Sequence, residues 1–470
     1  MKNWADAMIR ELDQSRTDNE HIGLVRRYLA GRHDMPYMPP DATAEYQALA
    51  RQSVTNWLPL IAGTFTESLY VDGYRSGRSA DNVAGWKRWQ DNKLDARQMI
   101  TMRGAIEYGV SYVAVEGSKI RTLSARKSWA WYEDDEAEHP VAGIVEVGSR
   151  IASDGTVLAR YEFWHDRVVY TYERVTGRRL GVPDDPSSPH DGKDVQIGSL
   201  ELVNTRKLAS AVPVPWVRFR DRLDDEAQGV IRPLISLQNR VNASVFYLLM
   251  ALHYASFRQR WATGLVIPRD EQEMLPDGTE NPNFGKPIEP FKAAVNRLWI
   301  SENGDSKFGD FDQTDVTGHL AAIASAVGTL ISIGRSSPLL ASGNSISNVA
   351  IESIAALNAS MNSQIDSFKM NFGESWEAVL ALSGASDPSA RVRWRDTEPR
   401  SFSQIVDGLV KLHQMGAPAE GLFELVPQIT DQQLEQWREL AAKPSDTDRL
   451  ADAIARQAAP AVGADVPAAE

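Results

Sequence analysis

The sequence predicts an α+β protein that is mostly helical. Apolar residues recur at helical spacing near the N-terminus, through the middle and towards the C-terminus. Between about residues 111 and 219, short segments instead alternate apolar with polar residues and are separated by Gly or Asp turns, which is typical of strands. With 470 residues and 43% apolar composition, the chain is long enough for two to four domains with large cores.

The N-terminal part is predicted to be helical. Residues 3–33 form helices that stop at Gly31, and residues 44–69 form a second helical stretch that Pro59 breaks or kinks. Residues 71–75 are predicted to turn the chain. A third helical stretch covers residues 81–109, and its apolar side chains are expected to face a core: Trp86, Trp89, Ile100, Ala105 and Tyr108.

The strand-rich part follows. Its predicted strands are residues 111–115, 142–147, 157–163 and 167–172. The last two strands form a hairpin that turns at residues 164–166. Composition predicts an exposed loop at 181–194 and another extended segment at 213–219.

Three long helices are predicted in the middle of the chain. The first covers residues 228–257, about 30 residues with one apolar stripe. After a segment rich in Pro and Gly, the second covers 315–333 with Gly334 as its C-cap. The third covers 345–372, with Ser345 or Ser347 as its N-cap.

The C-terminal part is predicted to begin with a strand at residues 391–394. Four helices follow, at 401–415, 419–427, 430–442 and 445–457. The last dozen residues, 459–470, are rich in Ala and Pro and are predicted to be disordered.

Composition excludes several classes of function. The absence of cysteine excludes disulfides, Cys-ligated zinc and thiol chemistry. The formal net charge of −13 lacks the basic surplus of a protein that grips nucleic acid. This acidic excess indicates either plain solubility or a surface along which DNA slides, and net charge alone does not separate the two. The charged N-terminus is no secretory signal, and no apolar run reaches the ~20 residues that a membrane span requires.

A catalytic constellation is not predicted. The sequence has no phosphate-binding Gly-x-x-x-x-Gly-Lys run and no Gly-x-Ser-x-Gly nucleophile motif. The acidic run at residues 133–138 could hold a divalent cation, but a solvated loop is the favoured interpretation, as it is for His190-Asp191. We therefore predict no enzyme activity, no cofactor and no metal.

Two segments have an unusual composition. Arg258, Arg260 and Trp261 form a basic-aromatic patch after the first long helix, which suits either the helix dipole or a contact with a partner. Residues 335–372 hold only two positive and two negative charges, and hydroxyls and amides concentrate in the first half. This segment is either a flexible loop or a surface that faces a polyanion without binding it tightly.

The order of short motifs resembles one known family. The matching blocks span about residues 24–420: Tyr28–Gly31, Asn56-Trp57, Val71–Arg75, Trp86–Asp95, Ala105–Val113, Val212–Pro215, Leu237–Asn242, Arg258–Gly264, Phe308–Phe311, Ser342–Ser347, Trp394–Asp396, Arg400-Ser401 and Lys411–Pro418. Together they resemble the portal proteins of long-tailed phages, in particular those of actinobacterial hosts. The start of the third helix departs from the family pattern, with Ser347-Asn348-Val349-Ala350 where Ser-Ala-Asp/Glu-Ala is usual.

The resemblance implies a portal architecture. Its expected parts are a wing at 1–224, a first stem helix at 225–258, a clip at 259–311, a second stem helix at 312–334, a tunnel loop and helix at 335–372, a wing return at 373–400, a helical crown at 401–458 and a disordered tail at 459–470. The implied residues of the DNA channel are Arg335, Ser336, Ser337, Asn344, Ser345, Ser347 and Asn348. The implied connector-docking residues of the clip are Arg258, Arg260 and Trp261.

The implied function is a ring of about twelve copies at one capsid vertex, the channel for DNA packaging and ejection. Its implied partners are the terminase, the major capsid and scaffold proteins, the head–tail connector (adaptor) protein, and double-stranded DNA that passes without sequence specificity. Neither a membrane nor a cofactor is implied. The expected location is the virion, with the host cytoplasm during assembly.

Three rival functions are weighed against this one. Another head or connector protein would lack the order of stem, clip and tunnel. A terminase-like ATPase needs a phosphate-cradling loop, and a nuclease needs acidic residues clustered on a core. A DNA-binding regulator is disfavoured because the chain is acidic and has no basic helix.

Overall fold

The structure is a computed structural model, and it confirms the α+β class. It describes residues 1–38, 43–76, 83–153, 155–179, 197–220, 228–256, 260–263, 269–274, 278–286, 305, 307–310, 315–340, 356–385, 390–395, 402–418, 422, 426, 436, 437 and 439. All statements below concern these residues.

Ten helices of nine or more residues are found in the described part of the chain. They are α1 (Lys2–Ser15), α2 (His21–Leu29), α3 (Ala44–Gln52), α4 (Leu58–Glu67), α5 (Val83–Asp91), α6 (Leu94–Tyr108), α7 (Ile235–Ser256), α8 (Thr317–Ile333), α9 (Ala359–Leu382) and α10 (Phe402–Gln414).

Most strands in the described residues follow one another between residues 110 and 220 with no helix between them. The strands are β1 (Val71–Ser76), β2 (Val110–Glu116), β3 (Lys119–Leu123), β4 (Ser128–Trp131), β5 (Ala142–Ile151), β6 (Thr156–His165), β7 (Val168–Arg179), β8 (Glu201–Lys207), β9 (Trp216–Arg220), β10 (Arg260–Thr263), β11 (Lys307–Asp310) and β12 (Ala390–Trp394). The four strands predicted between 111 and 172 are confirmed as β2, β5, β6 and β7, each with longer bounds.

The strand-rich part is built in three layers. A five-stranded antiparallel sheet, in the order β4-β5-β6-β7-β8, carries α1 on one face. Its other face packs against the three-stranded sheet β3-β2-β9. Trp216 of β9 lies so close to β5 that a Cβ on Gly143 would be 2.9 Å from its ring, so only glycine fits at that position.

A buried ion-pair cluster also joins the two sheets. Glu162 of β6 accepts hydrogen bonds from Arg121 of β3 at 2.8 Å and from Arg206 of β8 at 3.0 Å. Burial by itself raises the pKa of Glu162, but the two guanidinium groups outweigh it and hold the pKa below its usual range. Glu162 is therefore an ionised link between the sheets.

The hairpin between β6 and β7 is confirmed, and its turn is one residue later than predicted. Asp166 and Arg167 both have positive φ, 45° and 60° respectively. A two-residue hairpin loop with both residues left-handed has the backbone of a type I′ turn, which normally selects Asn-Gly. The second position therefore carries a backbone conformation that arginine adopts at a cost.

Changing Arg167 to glycine is expected to raise the free energy of unfolding by about 0.5–1 kcal/mol, because glycine adopts positive φ without a Cβ penalty. The side chain of Arg167 is exposed, so little packing is lost. Urea denaturation measures the change. The matched control is Arg10→Gly on the exposed side of α1, which should instead lose about 1 kcal/mol. A loss of stability in both variants contradicts the assignment of strain to Arg167.

The largest core joins the N-terminal helices to the middle of the chain. It contains residues of α2, α4, α6, β2, β9, the C-terminal half of α8 and most of α9. Trp376 lies at its centre, with its ring centroid 5.0 Å from that of Trp89 and 4.7 Å from that of Phe219. Phe368 and Phe372 stack at 5.5 Å on the same side of α9.

Several N-terminal predictions need correction. Residues 71–75 do not turn the chain but form β1, which pairs with β12 more than 300 residues later. The stretch 44–69 is broken rather than kinked, into α3 and α4, and Pro59 lies in the first turn of α4, where a missing N–H costs nothing. Ile100 is 68% exposed and faces away from the core, unlike its neighbours on α6.

The first long helix is shorter than predicted. Instead of starting near residue 228, α7 begins at Ile235 and has 22 residues, after a 3₁₀ turn at Arg232–Leu234. Gly229, with φ of +61°, and the bond from Val230 N–H to Ile106 O at 2.8 Å hold the preceding residues against the end of α6. The apolar spacing predicted helical turns before Ile235, but these residues instead contact the end of α6.

The second and third helices differ from prediction mainly at their ends. The second is confirmed as α8, and the carboxylate of Asp315 accepts a 2.8 Å bond from Thr317 N–H in its first turn. The third predicted helix is interrupted at Asn358, which is the N-cap of α9, and α9 continues ten residues beyond Phe372, to Leu382. Its predicted start at 345–355 lies outside the described residues, as do the predicted loop at 181–194, most of the helices predicted after 419, and the tail.

The predicted strand at 391–394 is confirmed as β12, and the helix predicted at 401–415 is confirmed as α10. The amide N–H of Arg395 also donates to Tyr70 O at 2.8 Å, just before β1. Two segments more than 300 residues apart in the chain are therefore joined by backbone hydrogen bonds.

Candidate functional site

The acidic run has the geometry of a solvated loop. Residues 133–136 are exposed, and the backbone carbonyl of Asp135 accepts hydrogen bonds from Arg218 and, at 2.7 Å, from Arg220. Among the described residues, no group of three or more His, Asp and Glu side chains could hold a metal ion. His190 and Asp191 lie outside the described residues.

The end of α8 places the first candidate channel residues. Arg335 N–H bonds to Ser332 O at 3.2 Å, and Ser336 N–H bonds to Ile331 O at 3.1 Å. This is the Schellman pattern, which confirms Gly334 as the C-cap, but the left-handed residue is Arg335, with φ of 49°. Arginine pays a Cβ penalty there that glycine avoids, so this end of α8 carries local strain.

The side chain of Arg335 is exposed and crosses to the next helix. Its Nη1 donates to Oε1 of Gln364 on α9 at 2.9 Å. The neighbouring serines point inward: Ser336 is only 4% exposed, Ser337 is half-buried, and neither hydroxyl has a hydrogen-bond partner within the described ranges. In a single chain, Arg335 is therefore the only one of these three side chains that faces solvent fully.

The remaining candidate residues are not described. Asn344, Ser345, Ser347 and Asn348 lie in the undescribed stretch 341–355. The predicted channel lining therefore stays a prediction beyond Ser337.

The candidate connector site has a defined backbone. Strand β10 pairs with β11 in antiparallel register, with Arg260 opposite Asp310 and Trp261 opposite Gly309. The backbone of Arg260 thus lies on a strand, four residues beyond the end of α7 at Ser256. Arg258 lies outside the described residues. The pairing brings together the two ends of the 43-residue segment between β10 and β11, an excursion from the helices α7 and α8 that flank it.

Helix α8 has a surface that a single chain leaves open. Its 17 residues contain no Asp, Glu, Lys or Arg. One side packs into the main core through Ala326, Val327, Leu330 and Ile331. The exposed residues of the other side are small or apolar: Thr317, Gly318, Leu320, Ala321, Ala322, Ala324, Ser325, Ser332 and Ile333. We call this set the open face of α8.

An apolar cavity lies near the start of the open face. It has a volume of about 370 Å³, and its lining comes from α3, α7 and the first turn of α8 together with the segment before α3. The lining residues are Tyr37, Met38, Tyr46, Phe246, Tyr247, Met250, Ala251 and His319. Tyr37 is 84% exposed at its rim, so this apolar surface continues outward from the cavity.

Comparison with family models settles the family. The model described as "Phage portal protein, SPP1 Gp6-like" matches residues 10–445, which is nearly the whole chain. The chain belongs to this family of phage portal proteins. The family is structural and non-enzymatic, and its members are components of the phage particle. The resemblance read from the short motifs is thereby confirmed.

Two solved structures are similar to this portal protein. The neck of a native GTA particle, computed with C12 symmetry, matches with 10% identity and a TM-score of 0.41, over 85% of this chain and 97% of the other. The virion of a native gene transfer agent particle matches with 13% identity and a TM-score of 0.38, over 86% and 99%. No curated protein matches the chain significantly.

Sequence reasoning missed the open face of this portal protein. The available signal was the absence of any charge over 17 residues, since a helix that is apolar on all sides is normally buried. Within the described part of the chain, none of the helices is long and apolar enough to cross a membrane.

Proposed function

We propose that this portal protein assembles into a closed ring of about twelve copies, and that double-stranded DNA passes through the ring without being read. The open face of α8 carries the proposal. Nine small or apolar residues of one uncharged helix are exposed in a single chain. Soluble chains rarely leave such a surface uncovered.

A second copy is the natural cover for the open face. Small side chains let another helix approach closely, and no charge on α8 has to be desolvated. The covered and covering surfaces differ, so the contact is heterologous and closes into a ring when the rotation between copies fits. The apolar cavity beside His319 extends the surface available to the neighbouring copy.

The expected portal parts map onto the fold as follows. The wing comprises α1 to β9 and the return through β12, the stem comprises α7 and α8, and the clip is the excursion closed by β10 and β11. The tunnel comprises residues 335–372, and α10 begins the crown. The pairing of β1 with β12 supports the assignment of 373–400 to the wing.

The charge distribution supports a channel that does not hold DNA. The only Asp, Glu, Lys or Arg side chain described between residues 316 and 340 is Arg335, and the net charge of the chain is −13. Twelve cations at one level would attract the phosphates as they pass, while an otherwise uncharged wall gives little electrostatic binding. Arg335 forms the proposed rim. Ser336 is buried and Ser337 half-buried in a single chain, and Ser337, Asn344, Ser345, Ser347 and Asn348 are proposed to continue the lining.

The proposed partners follow from the ring. The clip, with Arg258, Arg260 and Trp261 at its base, docks the head–tail connector, and the terminase docks on the same ring during packaging. The capsid and scaffold proteins hold the ring at one vertex. Assembly takes place in the host cytoplasm.

The ring is tested with Ala321→Glu, which places a charge in the middle of the open face. Burying this carboxylate between copies costs several kcal/mol at each contact, so we expect the ring fraction to fall more than tenfold. Both residues are good helix formers, so the melting temperature of the single chain should change little. Mass photometry and negative-stain electron microscopy measure rings, with wild type expected near twelve times 52.1 kDa.

Ala84→Glu is the matched control, since Ala84 is exposed on α5, far from the open face in sequence, and this variant should still form rings. Rings of normal abundance from Ala321→Glu contradict the open face as an interface. A wild-type chain that forms no ring, even when it is co-expressed with capsid and scaffold proteins, contradicts the ring itself.

A further inference from the structure

Three sequence motifs that are far apart in the chain meet at one buried polar cluster. They are the end of α2 at residues 28–31, the segment 55–57 before α4, and residues 237–242 at the start of α7. His33, Gln238 and Asn242 lie at their centre and are at most 6% exposed. We call these three side chains, with the backbone of Thr55 and Trp57, the α7 junction.

A backbone donor, Trp57 N–H, fixes which atoms of the junction donate and which accept hydrogen bonds. Trp57 N–H donates to Oε1 of Gln238 at 3.0 Å. Because a backbone N–H can only donate, the oxygen of this amide must face Trp57. Its Nε2 then donates to Thr55 O at 2.7 Å and to Oδ1 of Asn242 at 2.9 Å.

The orientation of the Gln238 amide in turn fixes the orientation of the Asn242 amide, which fixes the protonated nitrogen of His33. Oδ1 of Asn242 also accepts from Thr55 N–H at 3.2 Å, so its Nδ2 is the atom that faces Nδ1 of His33, at 2.8 Å. Nδ1 must therefore carry a lone pair. The opposite ring nitrogen, Nε2, holds the hydrogen and donates to Tyr28 O at 2.9 Å. The backbone amides of Trp57 and Thr55 thus select the neutral tautomer of His33.

Burial outweighs the groups that favour the charged form of His33, which are the backbone carbonyl of Tyr28, the side chain of Asn56 and the carboxylate of Asp34. Burial is the largest cause that lowers the pKa of His33. From α2, Arg27 adds repulsion and the ring of Tyr28 stacks on the imidazole with centroids 4.7 Å apart. Asp34 opposes this effect, but its carboxylate already accepts bonds from Arg27 at 2.6 Å and Tyr28 at 2.7 Å. The 55–57 segment and the two α7 amides contribute no titratable side chain.

We propose that the α7 junction is a proton-sensitive latch, which holds the start of α7 on the N-terminal helices while His33 is neutral and loosens when His33 takes up a proton. A proton on Nδ1 would place an N–H donor against the NH₂ of Asn242. Rotating that amide by half a turn only moves the conflict to Gln238 and Thr55. The series of hydrogen bonds ends at Trp57 N–H, a backbone group that can only donate. Rotating the side-chain amides of Asn242 and Gln238 therefore does not satisfy a charged His33.

The direction of the pH effect follows from the lowered pKa. His33 in the unfolded or open chain has a pKa of about 6.5, and in the closed latch it is lower. The closed state therefore binds fewer protons. The latch is at full strength above about pH 6.5 and weakens as the pH falls below that value. This property belongs to one chain and does not depend on the ring.

Asn242→Asp is the sharpest test, because it reverses the proton preference with almost no change in shape. One carboxylate oxygen keeps accepting from Thr55 and Gln238, and the other accepts from a protonated Nδ1. NMR of ¹³Cε1-labelled histidine follows the titration of the eight histidines, and His33→Gln identifies the resonance of His33. We expect a wild-type pKa below 6.5 and an increase of about 1–3 units in Asn242→Asp.

Hydrogen exchange supplies the conformational readout. In the wild type, the amides of Thr55, Trp57 and the first two turns of α7 should exchange at least tenfold faster at pH 5 than at pH 7.5, after correction for intrinsic rates. In Asn242→Asp, this acceleration should vanish or reverse. His33→Gln should also remove it, which keeps the test decisive if the aspartate variant folds poorly.

His165→Gln is the control, since Nδ1 of His165 lies 3.1 Å from Val141 O in the strand-rich part, and the acceleration in α7 should persist. The proposal is overturned by a wild-type His33 that titrates at or above pH 6.5, by an Asn242→Asp variant without an increased pKa, or by α7 exchange that responds equally to pH in wild type and His33→Gln.

Discussion

Gly229→Ala is expected to lower the free energy of unfolding by about 2–5 kcal/mol. Two costs combine at this position. Gly229 has φ of +61°, where a Cβ costs about 1–2 kcal/mol. A Cβ would also lie 2.6 Å from Glu107 O and 2.7 Å from Gly109 N, both backbone atoms that cannot rotate away. Forcing them apart adds about 1–3 kcal/mol of overpacking.

Gly117→Ala separates these two costs. Gly117 has nearly the same φ, +60°, but a Cβ there would meet nothing within 4 Å. This variant should lose only the backbone part, about 1–2 kcal/mol. Urea denaturation followed by tryptophan fluorescence measures both variants. Equal losses would show that the end of α6 moves aside freely, which contradicts the close contact that holds the start of α7.

Trp376→Ala is expected to cost about 3–5 kcal/mol, because it empties the centre of the main core. Trp376 is fully buried on α9, and its ring contacts those of Trp89 on α5 and Phe219 on β9. Removing it takes one ring contact from each of Trp89 and Phe219, which keep their contacts with Trp86 and Phe372, and it leaves a cavity in a closely packed core. The loss should appear in the main urea transition.

Met370→Ala on the same helix is the control for Trp376→Ala. Met370 is 67% exposed, so its truncation should change the free energy of unfolding by no more than about 0.5 kcal/mol. A small loss for Trp376→Ala would mean that α9 does not pack against α5 and β9 in solution. That result would contradict the arrangement of the main core.

The apolar pattern of the sequence predicted those helices and strands that depend mainly on residues close together in the chain. The apolar spacing and Gly334 gave the bounds of α8 to within two residues, because a helix and its C-cap depend on neighbours in sequence. The strands β5 to β7 were predicted for the same reason. Successive side chains of a strand point to opposite faces of the sheet, so a period of two is a local signal of a strand. The faces of this sheet are covered by α1 and by β3-β2-β9.

Elements that depend on distant partners were missed. Residues 71–75 contain Asp72 and Gly73, which predict a turn, but the partner strand at 390–394 overrides that preference. The start of α7 was placed about seven residues early because its contact with α6 leaves no trace in the apolar stripe. Ile100 was assigned to a core because helical spacing cannot say which of two apolar faces is covered.

The candidate sites were predictable to a smaller extent. The portal family came from the order of many short motifs, whereas no single motif specified it. The α7 junction had a signal in the sequence: Gln238 and Asn242 are amides four residues apart on a helix whose flanking Leu234 and Val241 are buried. Such a pair predicts buried hydrogen bonds, but nothing local identifies His33 as the partner.

The pairing of β1 with β12 also sets an order of events during synthesis. Strand β1 leaves the ribosome early, yet the strand that completes its sheet lies at residues 390–394. Over most of translation, the N-terminal body therefore waits with an unpaired strand edge, which is a hazard for misassociation. A fragment that stops before β12 lacks this closure altogether. Premature termination products therefore keep β1 without the partner strand that full-length chains supply.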